Sequence, residues 1–175
     1  MKINTKNITG WSIATKTKNI KAKHLSSLLV DPMIADKFLI DALEGKEALK
    51  SNVVICLGPT GDIWQQTPSK LLGKYTIVDI DRNGWMDSKP IPGNAVNCFQ
   101  VTKEFLGSIK SDAPDGIYNN RKADFFIIGT YGETTVAGSN TQFGEIGDYI
   151  LQDQKNPDDN WIVKQKIFDN TYSIK

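Results

Sequence analysis

The chain has 175 residues, of which 39% are hydrophobic and 23% charged, and its formal net charge at pH 7 is +1. This length can bury an extensive core without disulfides or metal ions, and the composition is typical of a globular protein. No run of about 18 apolar residues indicates a membrane-spanning helix, and no signal-peptide pattern is visible, so we expect a cytoplasmic protein.

The N-terminal segment is rich in lysine. Residues 1–30 contain six lysines and no acidic residue, so the overall charge of +1 leaves −5 for the remaining residues. Within this lysine-rich arm, the weak alternation of residues 11–24 predicts a strand. The arm has no arginine and a single aromatic residue, Trp11, whereas recognition of bases uses stacked rings and bidentate guanidinium groups. We therefore expect the lysines to lie on a solvated strand edge, and nucleic acid is not the favoured partner.

Residues 32–49 predict the one longer helix of the chain. Asp31 is a favourable N-cap residue and Pro32 suits the first helical turn. Apolar residues recur at helical spacing, namely Ile34, Phe38, Leu39, Ala42 and Leu43. Gly45 is predicted to end or bend this helix.

Short apolar runs separated by turn residues follow. The predicted strands are 53–57, 63–66, 76–80, 85–89 and 95–101, and Pro68 begins a predicted short helix over 68–75. Asn83-Gly84 is a dipeptide typical of a tight hairpin. This pattern indicates antiparallel strands joined by short turns.

The polar segment 107–122 is predicted to be a surface loop or linker. We predict a single domain over 1–175, and this segment is the one place in the sequence where a domain boundary would fit. Beyond it, the apolar runs predict strands at 124–131, 133–138, 147–153 and 160–164, followed by a helical turn at 166–172.

Two segments of the chain share one pattern. Residues 53–77 and 147–174 each contain an apolar strand, a turn, a strand with a tryptophan, a short helix and a Tyr-x-Ile sequence. The matched pairs are Trp64 with Trp161, Leu71 with Phe168, Tyr75 with Tyr172, and Ile77 with Ile174. One such unit is too small to bury its apolar face, so we expect two copies packed around a pseudo-twofold axis. Chance similarity is the alternative, since few of the paired positions are identical.

These patterns together predict an α+β fold. It consists mostly of antiparallel strands, with a duplicated strand–turn–strand–short-helix unit and one longer helix near 32–49.

The segment 146–172 resembles the signature of the PGDYG-motif family, a group of small bacterial and phage proteins. Gly147, Asp148 and Tyr149 match the motif, whereas Ile146 stands in place of its proline and Ile150 in place of its final glycine. The aromatic positions that follow the motif also match, at Trp161, Phe168 and Tyr172. The resemblance extends more loosely to 53–77. It implies a turn at Gly147-Asp148 and a core filled by the aromatic rings, and it implies no activity.

Part of a calcium-loop pattern lies between residues 79 and 90. Asp79, Asp81 and Asn83 occupy the first, third and fifth loop positions, and Asp87 occupies the ninth. The twelfth position, where a bidentate glutamate belongs, is a proline, and the flanks are strand-like. We therefore predict a hairpin with solvated acidic residues and no metal, with these four residues as the weak alternative ligands.

Few residues offer catalytic chemistry. His24 is the single histidine, which argues against catalytic triads and histidine-rich metal sites. Cys56 and Cys98 lie in apolar runs, so we expect buried reduced thiols, with one disulfide as the alternative. No glycine pattern predicts a nucleotide site, and no cofactor is predicted. The remaining candidates for acid–base catalysis are Glu133, Glu145 and Asp148.

These observations favour a cytoplasmic, non-catalytic binding or accessory domain. They do not identify its partner, for which a protein is the candidate. A hydrolase-like enzyme that uses aspartate and glutamate is the first alternative. A weak nucleic-acid binder that uses the lysine-rich arm is the second.

Overall fold

A computed structural model describes residues 1–24, 39–42, 45–50, 52–110, 123–134 and 140–175, without the side chains of 39–48 and 130–134. The strands of the first half are β1 (Ser12–Lys16), β2 (Ile20–His24), β3 (Leu39–Ala42), β4 (Gly45–Ala48), β5 (Val54–Leu57), β6 (Ile63–Gln66) and β7 (Tyr75–Ile80). Those of the second half are β8 (Met86–Pro90), β9 (Ala95–Gln100), β10 (Phe125–Thr134), β11 (Asn140–Gly144), β12 (Tyr149–Asp153), β13 (Asn160–Val163) and β14 (Tyr172–Ile174). The helices are α1 (Pro68–Lys74), α2 (Lys103–Ser108) and α3 (Gln165–Thr171), and a 3-10 turn spans Thr5–Asn7.

Two five-stranded antiparallel sheets form the main architecture. Sheet I has the strand order β6-β5-β2-β8-β7, and sheet II has the order β13-β12-β9-β1-β14. In each sheet a hairpin forms one edge, a short helix leads away from it, and the strand after that helix forms the opposite edge. The two remaining pairs, β10 with β11 and β3 with β4, form separate two-stranded ladders. The expected sheet-rich α+β fold with antiparallel strands is therefore confirmed.

Each sheet contains one strand from the other half of the chain. β1 lies between β9 and β14 in sheet II, whereas the next strand, β2, lies between β5 and β8 in sheet I. In the second half, β8 lies in sheet I and β9 in sheet II. The chain therefore crosses between the sheets twice, once after β1 and once after β8.

Equivalent strands of the two sheets pair in the same register, which we call the shared register. Across four strands, the directly opposed residues are Trp64, Cys56, Ala22 and Met86 in sheet I, and Trp161, Leu151, Cys98 and Ser12 in sheet II. A second row aligns Ile20, Ser88 and Ile77 with Val96, Ala14 and Ile174. Tyr75 then faces Pro90 where Tyr172 faces Lys16.

Local sequence explains the short helices. Pro68 occupies the first turn of α1, and the hydroxyl of Thr67 accepts the Lys70 N–H as an N-cap. Both α1 and α3 end at a tyrosine whose N–H bonds to the carbonyl four residues earlier, and that tyrosine begins the next strand. Each helix buries one large side chain against its sheet, Leu71 in α1 and Phe168 in α3.

Three apolar clusters form the described core. One lies between sheet I and α1, and a second lies between sheet II and α3. The third covers the opposite face of sheet II, where α2 and β10 pack together with the N-terminal residues. Its buried members are Ile3, Ile8, Val101, Leu106, Phe125, Ile127, Ile150 and Ile162. Strand alternation places Ile150 and Leu151 in different clusters, so sheet II is buried on both faces.

The predicted helix over 32–49 is wrong where the structure describes it. Residues 39–42 and 45–48 are the strands β3 and β4, which pair as an antiparallel hairpin. β3 lies beside β6, and β4 lies beside β10. Pairing with these neighbours outweighs the local helical periodicity, and Gly45 begins a strand where we expected the helix to end or bend. Residues 32–38 and 43–44 of the predicted helix lie outside the described residues.

Other boundaries differ in detail. The single strand predicted over 11–24 is two strands in different sheets. The predicted loop over 107–122 overlaps the end of α2, and 111–122 lies outside the described residues. Residues 133 and 134 of the strand predicted at 133–138 are the end of β10, which continues through a register shift to Thr134, and 135–138 lies outside the described residues. None of the helices in the described part of the chain has the length and apolar character needed to span a membrane.

Candidate functional site

Aromatic rings and lysines gather where the two sheets meet. We call this set the inter-sheet cluster, and its members are Lys16, Trp64, Lys74, Tyr75, Trp161 and Tyr172. They come from the end of β1, from the hairpin strands β6 and β13, and from the junctions that follow α1 and α3. The shared register of the sheets brings both Trp–Tyr pairs of the repeated pattern to this place.

Lys16 lies among three of these rings. Its Nζ is 4.6 Å from the ring centroid of Trp64, 5.5 Å from that of Tyr172 and 5.8 Å from that of Tyr75. Burial lowers the pKa of this amine to about 8, and the charge of Asp62 acts in the opposite direction. Lys16 belongs to none of the ion pairs among the described residues. The rings therefore stabilise its ammonium form without a carboxylate beside it.

Lys74 plays a similar part on the other side of the cluster. Its Nζ is 4.4 Å from the ring centroid of Trp161 and 3.8 Å from an oxygen of Asp153. Burial and the charge of Lys70 lower the pKa of Lys74, whereas Asp159 and Asp153 raise it. Lys70, one turn earlier in α1, forms an ion pair with the buried Asp159. Helix α1 therefore links sheet I to the β12–β13 hairpin of sheet II.

The two tyrosines of the cluster remain neutral at physiological pH. Burial raises the pKa of Tyr75 well above its usual value, and Tyr172 adds to that shift. Burial also raises the pKa of Tyr172, against a hydrogen bond from Trp161 that lowers it. Tyr172 stacks on Phe168 at 4.9 Å, and Phe168 stacks on the buried Tyr149 at 3.7 Å. Tyr149, Phe168 and Tyr172 of the family-like motif thus form one stack, and Lys16 lies over the ring at its end.

The cluster reaches the protein surface. Tyr75 is buried, but Trp64, Trp161, Tyr172 and Lys16 are half-buried. We expected all four rings of the repeated pattern inside a core, and three of them lie at its margin. The half-buried side chains of the inter-sheet cluster therefore pack between the two sheets and are also accessible to a second molecule.

Asp148, one of the predicted acid–base candidates, holds a turn. One of its oxygens accepts the Glu145 N–H at 2.8 Å and the Lys164 Nζ at 2.8 Å, and the other accepts the Gln165 N–H at 3.0 Å. Gly147, with φ +99°, precedes it, and an added Cβ would lie 2.6 Å from the Gln165 side-chain oxygen. This carboxylate fixes the entry to β12 and the start of α3.

The other predicted acids are placed differently. Glu145 lies near the same lysine, with an oxygen 3.7 Å from the Lys164 Nζ. Glu133 lies in β10, and its side chain is outside the described set. The structure therefore brings Glu145 and Asp148 together around a lysine, an arrangement that favours a structural ion pair.

The partial calcium-loop pattern forms a hairpin turn. One oxygen of Asp81 accepts the N–H groups of Asn83 and Trp85, at 2.8 and 3.0 Å, and these bonds lower the pKa of the Asp81 carboxyl. Asp79 accepts the N–H of the next residue, and Asp87 faces it across the β7–β8 ladder. In the part of the chain that the structure describes, no three His, Cys, Asp or Glu side chains are grouped so that they could hold a metal ion.

Both cysteines are buried free thiols, as predicted. Burial raises the pKa of Cys56 to about 11, while a hydrogen bond from Gln66 lowers it. A thiol held in its protonated form is a poor nucleophile. Neither cysteine therefore adds a reactive group to the site.

The positions of Lys16 and Lys74 in the cluster were not predicted from the sequence. Lys16 was expected on a solvated edge with the rest of the lysine-rich arm, and Lys18 and Lys21 are indeed exposed. A signal was available, since strand alternation puts Lys16 on the same face as the fully buried Ala14. Lys74 carries no such signal, because its role depends on a hairpin from the other half of the chain.

Comparison of the chain with protein-family models, with curated proteins and with solved structures found no match.

Proposed function

We propose that the chain is a non-catalytic binding domain built from two strand-exchanged copies of one unit, and that it binds a protein partner at the inter-sheet cluster. The proposal keeps the resemblance to the PGDYG-motif family and a cytoplasmic location as expectations. It has two parts, the duplication and the binding, which rest on different observations.

The shared register supports the duplication. Backbone bonds outside the strands also correspond between the halves. The N–H of Ile91 bonds to the Lys74 carbonyl where the N–H of Thr17 bonds to that of Thr171. The N–H of Gly58 bonds to the carbonyl of Asp62 where the N–H of Asp153 bonds to that of Asp159. Correspondence at these backbone positions supports duplication over a chance resemblance of two short sequence segments.

The exposure of the cluster carries the binding proposal. Trp64, Trp161 and Tyr172 are half-buried and lie together at the surface. Tryptophan and tyrosine are enriched among the few residues that supply most of the binding energy at protein interfaces. Lys16 stands among them without an ion-pair partner in the described residues. The matching partner segment offers a carboxylate to Lys16 and an apolar side chain to the rings.

The alternatives have less support. The carboxylate of Asp148 is already bonded to two backbone amides and a lysine, so the hydrolase hypothesis lacks an unengaged acid there. On the outer face of sheet I, Lys21 of the arm faces Asp87 across the ladder, which offsets the charge that nucleic acid would need.

The test compares Lys16→Met with Lys18→Met, which removes the same charge from an exposed neighbour. Immobilised wild type and both variants capture partners from cells, and direct titration by calorimetry with the purified candidate follows. We expect wild type and Lys18→Met to bind equally and Lys16→Met to bind at least about tenfold more weakly. A partner whose affinity is unaffected by Lys16→Met would show that binding takes place elsewhere.

A further inference from the structure

We propose that β7 is a homodimer interface, at which the outer edges of β7 from two copies of the chain pair antiparallel around a twofold axis. Sheet I of one copy then continues into sheet I of the other. β7 is the last strand of sheet I, so no described strand pairs with its outer edge. The inference goes beyond the binding proposed at the inter-sheet cluster and does not depend on it.

The other sheet edges are covered or short. At the opposite edge of sheet I, β6 lies beside β3, and at one edge of sheet II, β13 lies beside β10 and β11. The remaining edge strand, β14, has three residues, whereas β7 has six. Among the described strands, β7 is therefore the long edge that a further strand can extend, and pairing there closes at two copies.

The residues of β7 favour such pairing. Lysine and proline protect exposed edges in many proteins, and β7 contains neither. Its apolar residues Val78 and Ile80 are exposed to 52% and 59%. Both Ile77 and Val78 lie opposite a single residue of β8, because the register shifts there. Val78 is thus the extra residue of a bulge, and its side chain is available to a second strand.

The backbone of β7 points the required groups outward. The N–H of Ile91 bonds to the carbonyl of Lys74 just before β7 begins. Bonded and non-bonded pairs alternate in an antiparallel ladder, so Ile77, three residues later, directs its N–H and C=O away from β8. A twofold axis between Ile77 and Val78 brings these groups against the same groups of the second copy.

Charged residues flank this edge on one face of the sheet. Asp79 faces Asp87, which in turn faces Lys21 on the next strand. Thr76 faces Lys89, two residues beyond Asp87. Lys21 lies between two core residues of β2 that face α1, so all five residues lie on the opposite face of sheet I. That face of the edge therefore has an acid towards one end and a lysine towards the other.

This charge pattern is complementary to itself. With the axis between Ile77 and Val78, Thr76 of one copy lies opposite Asp79 of the second copy. Lys89 lies one strand further in, roughly 10 Å from that aspartate between backbones, a distance that a lysine side chain can bridge. The twofold axis forms this pair twice. Neither Asp79 nor Lys89 belongs to an ion pair among the described residues, and within the chain Asp79 faces an acid. The second copy is thus the partner that this edge fits.

Sedimentation equilibrium of the full chain tests the dimer. A single strand edge is a small interface, so we expect a reversible dimer between about 1 µM and about 1 mM protein. Val78→Lys places two lysines beside the axis and should weaken dimerisation at least about tenfold. The matched control is Ile146→Lys, which adds the same charge at an exposed isoleucine before β12 and should leave dimerisation unchanged.

Charge reversal tests the register. Asp79→Lys and Lys89→Asp should each weaken the dimer by about threefold to tenfold, because each change turns two attractive pairs into repulsive ones. The double variant should return to within about twofold of the wild-type dissociation constant, because its pairs are again of opposite charge. Circular dichroism confirms that each variant is folded.

A chain that remains monomeric at about 1 mM would overturn the proposal, since even weak specific interfaces are populated at that concentration. A dimer that Val78→Lys leaves intact would place the interface elsewhere, and a double variant as weak as the single ones would exclude the proposed register. Lys16→Met should dimerise like wild type. Loss of partner binding without loss of the dimer, or the reverse, therefore separates this inference from the proposed function.

Discussion

Replacing Asp148 by asparagine tests the turn that joins β11 to β12 and positions α3. The substitution keeps the shape of the side chain, but its NH₂ group replaces an oxygen that accepts hydrogen bonds from N–H donors. It also removes the negative charge that pairs with Lys164. Asp148 is buried, and breaking a buried ion pair destabilises a protein by about 3–5 kcal/mol. A domain is stable by roughly 5–15 kcal/mol, so Asp148→Asn should remove a large part of the unfolding free energy.

Urea denaturation followed by circular dichroism measures this change. The matched control is Asp158→Asn, which removes a carboxylate whose ion pair with Lys6 is exposed on both sides. Exposed pairs contribute little, so the control should change the unfolding free energy by less than about 0.5 kcal/mol. A loss below about 1 kcal/mol for Asp148→Asn would refute the structural role of this carboxylate and would return it to the list of acid–base candidates.

Three further predictions concern the backbone, the exchange of strands and the inter-sheet cluster. Gly147→Ala should destabilise the protein by about 1–3 kcal/mol in urea denaturation, because φ is +99° and an added Cβ meets a side-chain oxygen. Gly73→Ala, in open space on α1, should stabilise it by up to about 1 kcal/mol, and the reverse order would contradict the described geometry. Fragments 1–82 and 83–175 should each lack cooperative unfolding alone and should regain it on mixing, because each sheet needs a strand from the other fragment. Cooperative unfolding of either fragment alone would show that its sheet does not depend on the exchanged strand. The folded-state pKa of Lys16 is lowered from 10.5 to about 8, so the unfolded state binds more protons than the folded state between these two pH values. As the pH rises through this range, the unfolding free energy of the wild type should therefore increase relative to that of Lys16→Met. An unchanged difference between the two proteins at pH 7 and pH 10 would refute the lowered pKa.

The short strands and helices could be predicted from sequence because their signals are local. The run from β5 to β7 is an example, since a Gly/Pro turn separates β5 from β6 and Pro68 begins α1. Residues 39–48 show the limit of such signals. Their apolar periodicity favours a helix, but the strands pair with each other and lie beside β6 and β10, and periodicity does not report such neighbours.

The candidate site was only partly predictable for the same reason. The sequence pointed to the Trp–Tyr pairs, since both copies of the pattern display them. The cation that lies among three of the rings comes from outside both copies, because Lys16 is brought in by β1, whose partners β9 and β14 lie far along the chain. Asp148 was noticed as an acid, but its role depends on three donors, and two of them, Lys164 and Gln165, lie at the start of α3.

The exchange of strands has a consequence for how the chain could have diversified. Under the proposed duplication, Pro90 facing Tyr75 corresponds to Lys16 facing Tyr172. A half-length ancestor that assembled as a symmetric pair would have carried one residue type at both places, so a lysine there would have brought two equal charges towards one aromatic site. Joining the halves in a single gene removes that constraint. One position can then hold a lysine while the equivalent position holds a proline, which has neither a charge nor an N–H. The pseudo-symmetric pair of sheets therefore carries an amine on one side only.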